Sequence, residues 1–509
     1  MSRKTNLVRL MTNALSILPE PELEFRYSQR LIQPQDGLGL FGPYDTDAAS
    51  HPGSVSHAVF GSPRGIELFQ RWSHSFDNPI VNNGDLDPNL WPSFPGFEAV
   101  TASKWPTAPT WTYEIESSLL ESAARELDSY KRAYQLVTYF VEGFRVAQKR
   151  DESFHLFVCV IPNEVWQNCR PESVVLSGSG RKLSPAERRL RVRGQRDLFE
   201  DFEPATYHYS VDFRRQLKAR AMEFGIPIQI ILESTLSLGP DDSLHRRLTP
   251  VSDRAWNLAT TMYYKAGGKP WRLSTARRGV CYVGIAFRKQ DSDVLNTTAC
   301  CAAQMFLDSG DGLVFLGEYG PWFSPHHGDF HLSSEAARTL LAGVLKTYEE
   351  MFGEPLTEIF LHSRSSINDE EFAGYAEACP SGVRLVGIRV RSEKLGLKLY
   401  RPGTRPVIRG TFLKLSESTG YLWASGFKPR LRTYDGWEVP VPLRIDVQHG
   451  DADIEQVSKD ILGLTKLNYN TSHLGDSEPV TVLFSNAVGE ILISNPLMAR
   501  SLPSFKFYI

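Results

Sequence analysis

Residues 213–229 read FRRQLKARAMEFGIPIQ and constrain the fold more than any other stretch of this chain. Phe213, Leu217, Ala221 and Phe224 recur at helical spacing and form a buried face. Gly225 supplies a left-handed stop. Ile226 to Leu232 then reads as a buried, β-branched strand. A helix closed by glycine and followed at once by such a strand is an α/β arrangement. Arg214 and Lys218, four residues apart, project from one side of the helix. Alone, that pair reads as a solvated basic face. The strand, however, returns Gln229 alongside the helix. A second helix follows, with Ser252 or Asp253 as cap candidate, and ends in YYKAGGKPW, with Lys265 just before Gly267 and Gly268. Three cations and an amide converging there match the acceptor oxygens of one phosphate.

A length of 509 residues suits two or three domains. The net charge of −3 requires any polyanion site to be a local patch. Six cysteines without C-x-x-C spacing read as reduced thiols. The N-terminal stretch is interrupted by Arg9, Thr12 and Asn13, unlike a signal peptide. No run approaches the roughly 18 apolar residues of a membrane helix. The expectation is a cytoplasmic protein with no membrane partner. YKAGGK is not a phosphate-binding P-loop, because Tyr263 and Pro270 replace the required glycine and Ser/Thr.

The chain divides near Pro270, into 1–270 and 271–509. In the first part Ser117–Leu136 reads as one amphipathic helix and Leu156–Ile161 as a buried strand. Residues 172–209 form a polar excursion containing RKLSPAERRLRVRGQR, with seven basic residues against Glu187. It reads as a surface loop, with a phosphate-tracking loop as the alternative. In the second part, strands at Val280–Phe287, Leu313–Gly317, Glu358–His362 and Val383–Val390 alternate with helices at Ser333–Phe352 and from Asp369. Further helices fall near Ile454–Leu462 and Val480–Leu492. That order suggests an RNase H-like unit, whose metals need carboxylates from neighbouring strands. The relevant positions are Gly284-Ile285-Ala286 and His362-Ser363-Arg364, which offer none. HHGDFH supplies the ligand types His326, His327, Asp329 and His331. Adjacent histidines in a glycine-containing loop usually point apart. Asp308 and Asp311 read as turn residues.

Taken together, these segments resemble the Argonaute family, and within it the short prokaryotic Argonautes. DGLGLFGPYD, SFPGF and CVIPNEVW are similar to the MID half, and GIPIQ and YYKAGGKPW to the segments of the guide 5′-phosphate pocket. YVGIAF, FLHSRS, VIRGTFLKL, YLWASGFKPRL and LTKLNYNT are similar to PIWI segments. The resemblance implies a Rossmann-like α/β MID domain followed by an RNase H-like α/β PIWI domain. It places the guide 5′-phosphate at Arg214, Lys218, Gln229 and Lys265, and Thr261 where a further pocket lysine often stands. A structural magnesium ion bridging guide phosphates, Gln229 and the Ile509 carboxylate is implied too. The slicing tetrad falls at Ala286, at Ser363 or Arg364, and at about Asn486, so the chain itself is not expected to cut. Channel candidates for nucleic acid are Arg272, Arg277, Arg278, Arg409, Lys428 and Arg430. The implied partners are a guide RNA, a single-stranded DNA target, and a separate APAZ-domain effector protein of TIR, Sir2 or nuclease type acting in defence against phage or plasmids. Two rival readings are a metal-dependent nuclease using HHGDFH and a module binding small nucleotides.

Overall fold

The computed structural model describes the chain apart from residues 1–14, 83–85, 194–203, 240–247, 290–298, 307–311, 320–321, 325–328, 352–354, 395, 435, 437 and 496–501. Two sheets organise it. Strand β1 (Leu15–Ile17) belongs to the larger sheet. Strands β2 (His57–Gly61), β3 (Trp111–Glu114), β4 (Leu156–Ile161) and β5 (Ile228–Leu232) make a smaller, parallel one in the order β3-β2-β4-β5. The near-continuous apolar runs of β2 and β4 follow from burial on both faces. Leu156, Val158 and Val160 enter one core, while Phe157, Cys159 and Ile161 enter another.

The single helix expected over Ser117–Leu136 is two. Helix α1 (Ser117–Ala124) stops, and α2 (Ser129–Gln148) restarts behind Asp128, whose carboxylate accepts the Tyr130 N–H at 3.0 Å. An N-cap carboxylate satisfies an end donor that an unbroken helix would not present. The basic excursion contains α3 (Pro185–Val192), opened by a Ser184–Glu187 capping box. Helix α4 (Phe213–Ala221) packs Phe213, Leu217 and Ala221 against Phe140 and Phe144 of α2. Helix α5 (Val251–Lys265) starts directly behind Pro250, with no side-chain cap. Ser252 and Asp253 are buried inside its first turn instead of capping it. Proline's fixed φ and missing N–H suit a helix entry, which moves the start ahead of the expected residues.

The larger sheet comprises β6 (Val280–Lys289), β7 (Ala299–Phe306), β8 (Gly312–Tyr319), β9 (Glu358–Ser363), β10 (Arg384–Ser392), β11 (Thr411–Lys414), β12 (Thr419–Trp423) and β13 (Leu443–His449), with β1 at one edge. Its order is β1-β11-β12-β13-β10-β9-β6-β7-β8. The three central strands β10, β9 and β6 are parallel and the outer pairings antiparallel. Strand β7, ACCAAQMF, has no β-branched residue and gave no strand signal; pairing on both sides holds it extended. Helices α6 (Ser334–Met351) and α7 (Asp369–Ala378) cover one face over Cys281, Val283, Ile285 and Leu361. Helices α8 (Ile454–Leu464) and α9 (Val480–Leu492) cover the other, over Tyr282, Phe360 and Ile388. That core runs on through Trp271 and Tyr263 to Val158, so the two sheets share one apolar interior. No helix among the described residues is long and apolar enough to cross a membrane.

Candidate functional site

The four residues singled out on α4, β5 and α5 come together. Asp212 caps α4 through the Arg215 N–H, at 2.9 Å, and Gly225 (φ +67°) closes the following turn. Nothing lies within 4 Å of a Cβ built at Gly225, so the backbone conformation, and not space, calls for glycine there. Lys218 is buried, and its Nζ donates to the Tyr508 carbonyl at 3.0 Å. Lys265 is buried as well and donates to the Ile228 carbonyl and to Gln229 Oε1, both at 2.7 Å. Gln229 turns its Nε2 to the Ile230 carbonyl at 3.2 Å. Arg214 is exposed and forms no hydrogen bond or ion pair with a described residue.

Burial, followed by repulsion from Arg214 and Lys265, pushes Lys218 well below the ordinary lysine range. Burial pushes Lys265 down to about 7, with Arg214 adding to it and Cys159 opposing it. The protein around Arg214 lowers its pKa first; Arg215 adds to this, while Asp212 and Glu490 oppose it. These cations thus lie within electrostatic reach of one another. No carboxylate hydrogen-bonds either lysine among the described residues. Thr261 takes no part, donating to the Asn257 and Tyr469 carbonyls. Ile509 is buried in the same core as Tyr508. The Gln229 amide oxygen, which already accepts from Lys265, falls far short of the six oxygens a magnesium ion takes, so any such ion would be carried mainly by ligand phosphates and water.

A cavity of about 290 Å³ opens beside Lys218, lined by Trp166, Arg170, Asp212, Arg214, Arg215 and Glu490 among others. Arg170 lies over the Trp166 ring at 4.3 Å. Arg215 pairs with Glu490 of α9 at 2.6 Å, so both parts of the chain build the wall. Sequence reasoning missed Trp166, Arg170 and Arg215; the available signal was NEVWQNCR directly after a buried strand.

The expected channel cations are mostly paired within the chain. Arg409 is buried and binds Glu20, Thr465 and the Ala424 carbonyl. Lys428 is buried. Arg272 pairs with Glu24 at 2.9 Å, Arg430 with Asp36 at 2.5 Å, and Arg277 with Glu358 and Asp460, each at 2.7 Å. Three of these acids, Glu20, Glu24 and Asp36, come from the lead-in, the extended N-terminal stretch that contains DGLGLFGPYD, so those arginines fasten it to the second half. Of the six candidates, Arg278 is exposed and has no ion pair with a described residue.

At the expected nuclease positions, Ala286 and Ser363 are buried and Arg364 pairs with Glu478 at 2.6 Å. Asn486 lies on α9. Of HHGDFH, His326 and His327 fall outside the described residues, as do Asp308 and Asp311. Asp329 begins a two-residue strand, and His331 Nδ1 lies 3.6 Å from Glu371. No group of three metal-type side chains occurs among the described residues.

Comparison with solved structures agrees with this architecture. Clostridium butyricum Argonaute, bound to a guide DNA and a 19-mer target DNA, superposes at TM-score 0.61 over 95% of this chain. The fold is Argonaute-like. Aa-Ago with externally bound siRNA and A. aeolicus Argonaute give TM-scores of 0.56 and 0.54 over 97% and 96% of the chain. Identity is 13–14%, a likeness of fold. The chain spans about half the length of these structures, 53%, 56% and 54%. No protein-family model matches the sequence, nor does any curated protein. Within the Argonaute-like fold, the mixed α/β halves correspond to the MID and PIWI architecture expected from the sequence.

Proposed function

We propose that this chain grips the phosphorylated 5′ end of a guide strand with Arg214, Lys218, Gln229 and Lys265 and presents that guide for pairing with a target. The observation carrying this reading is the pair of buried lysines beside Arg214, each desolvated by burial and repelled by neighbouring cations, and neither paired with an acid among the described residues. A phosphate would supply the missing negative charge and accept from all four groups. The C. butyricum structure, bound to guide and target DNA, supports guide-dependent binding in this fold. Base pairing would then read sequence, while the protein holds backbone phosphates.

The finer reading is a short, non-slicing Argonaute with an RNA guide and a single-stranded DNA target. Magnesium assists at Gln229 and Ile509, and target pairing activates an APAZ-effector partner in antiphage or antiplasmid defence. Ala286, Ser363, Arg364 and Asn486 supply no carboxylate pair for two catalytic metals. The absence of a membrane-length helix among the described residues is compatible with the expected cytoplasmic setting.

The test is a binding series with 5′-phosphorylated and 5′-hydroxyl guides, in RNA and DNA versions. Lys218→Ala combined with Gln229→Ala should weaken the phosphorylated guide by more than about tenfold, at roughly 1.5–3 kcal/mol per charge-assisted bond. The hydroxyl guide should change little. Equal losses for both would remove the phosphate assignment. Cleavage of a paired target, abolished by changing His326 or Asp329, would replace it with the nuclease reading.

A further inference from the structure

Ala286, inside β6, and Arg364, in the bend after β9, lie where carboxylates are expected from the family resemblance. Strands β6 and β9 run parallel, with His362 beside Gly284 and Ser363 beside Ile285. The pairing ends there, and Arg364 follows in the bend just beyond β9, as Ala286 follows Ile285 in β6. Where the family resemblance places two carboxylates, the chain therefore has a methyl group and a guanidinium. Arg364 donates to Glu478 Oε2 at 2.6 Å, with side-chain exposures of 46% and 18%. Glu478 stands just ahead of α9. The first turn of that helix is fixed over the same strands, for Thr481 Oγ1 lies 2.9 Å from His362 Nδ1. A Cβ on Gly284 would meet the Thr481 carbonyl oxygen at 2.0 Å. From the other side, Arg389 of β10 donates its Nε to the Arg364 carbonyl at 3.2 Å. Arg389 forms no ion pair with a described residue. Arg364, Arg389 and Glu478 thus meet here; Asp446 lies opposite Arg389 on β13 but is taken by Arg444 Nε at 3.0 Å, so among the described residues guanidinium groups remain in excess.

A divalent cation approaching Arg364 would be repelled, and a phosphodiester attracted. A partly exposed ion pair contributes little, so its acid is readily exchanged for another anion. We propose that Arg364, with Arg389 beside it, is a contact for a backbone phosphate of the paired nucleic acid, and that Glu478 is the internal anion which that phosphate displaces. The inference rests on the guide-and-target reading above. It turns the degenerate nuclease centre into a binding element for the paired strand.

Guide-loaded protein titrated with a labelled complementary strand at a series of KCl concentrations tests it. Arg364→Ala should weaken target binding roughly tenfold and flatten the salt slope by about one. Arg364→Lys should keep the slope, because the charge remains. Glu478→Gln should tighten target binding, since the competing anion is gone. Guide affinity should be the same in all three variants. An unchanged target affinity and slope in Arg364→Ala, or weaker target binding in Glu478→Gln, overturns the proposal, the latter by showing the pair to be a structural clasp. Should Arg364→Ala fail to fold by circular dichroism, Glu478→Gln decides. A wild-type protein that retains no phosphorylated guide removes the earlier reading and this one with it; retained guide with an unaltered Arg364→Ala titration removes this one alone.

Discussion

Lys466 and Arg409 are as deeply buried as Lys218 and Lys265, yet the two groups of cations are handled in opposite ways. The first group has its own acid. Glu20 lies 3.2 Å from Lys466 and 3.0 Å from Arg409, and both cations have fully buried side chains. Lys466 also donates to the Pro21 and Ile32 carbonyls, each at 2.6 Å. Burial pushes Lys466 down to about 8, while Glu20 opposes that shift. Burial alone would raise Glu20, but Arg409 and Lys466 outweigh it and hold the carboxylate below its usual range. In the second group no acid intervenes and the cations depress one another. A buried charge without a partner is costly. The lead-in clasp is closed within the chain, whereas the α4–α5 pocket is left open for an anion from outside.

The largest effect should come from breaking the closed group. Glu20→Ala strands two buried cations and should cost about 3–5 kcal/mol of stability, seen as a lower denaturation midpoint in urea. Lys218→Met, in the open group, should cost no more than about 1–2 kcal/mol, for the hydrogen bond to the Tyr508 carbonyl. If the two variants lose equal stability, the contrast fails.

The pH response should be next in size. Lys265 has its pKa depressed to about 7, against an ordinary value of about 10.4 in an unfolded chain. Between those values the unfolded state holds the extra proton, so this group makes the unliganded protein more stable as pH rises through the window. Phosphate binding needs the protonated amine, so affinity for a 5′-phosphorylated guide should fall over the same rise. Opposite trends in thermal melts and in guide titrations between pH 7 and 9 would sharpen the contrast, and parallel trends would break it. The smallest effect concerns Arg278. Arg278→Ala should weaken nucleic-acid binding about two- to threefold and flatten the salt slope without altering the preference for a 5′ phosphate.

The pocket was legible because its elements are local and periodic. An i, i+4 pair, a glycine stop and a β-branched strand bring Arg214, Lys218 and Gln229 together within a few turns of chain, and a neighbouring helix adds Lys265. The channel candidates were misread for the opposite reason. Glu20 and Arg409 are 389 residues apart, and nothing near VIRGTFLKL signals that its arginine is already neutralised. The sequence left the partner of Ala286 open between Ser363 and Arg364, and the pairing ends with Ser363 beside Ile285. A one-residue slip there changes which face a side chain joins. Strand β7 escaped notice because alanine and cysteine carry little extended preference of their own. The division of Ser117–Leu136 at Asp128 lay in plain view as an N-cap residue, but the apolar periodicity concealed it.

The hydrogen bond from Lys218 to the Tyr508 carbonyl joins residues 290 positions apart, and it has a consequence for the order in which the molecule is made. A ribosome making this chain completes α4 and α5 long before it reaches Tyr508. At that stage the two lysines lack the carbonyl and the covering core that hold them in place. Contacts of such long range form late and slowly. The pocket should therefore mature only once Tyr508 has been made and packed, and a chain halted after α5 should hold phosphorylated RNA fragments less well than one that includes Tyr508.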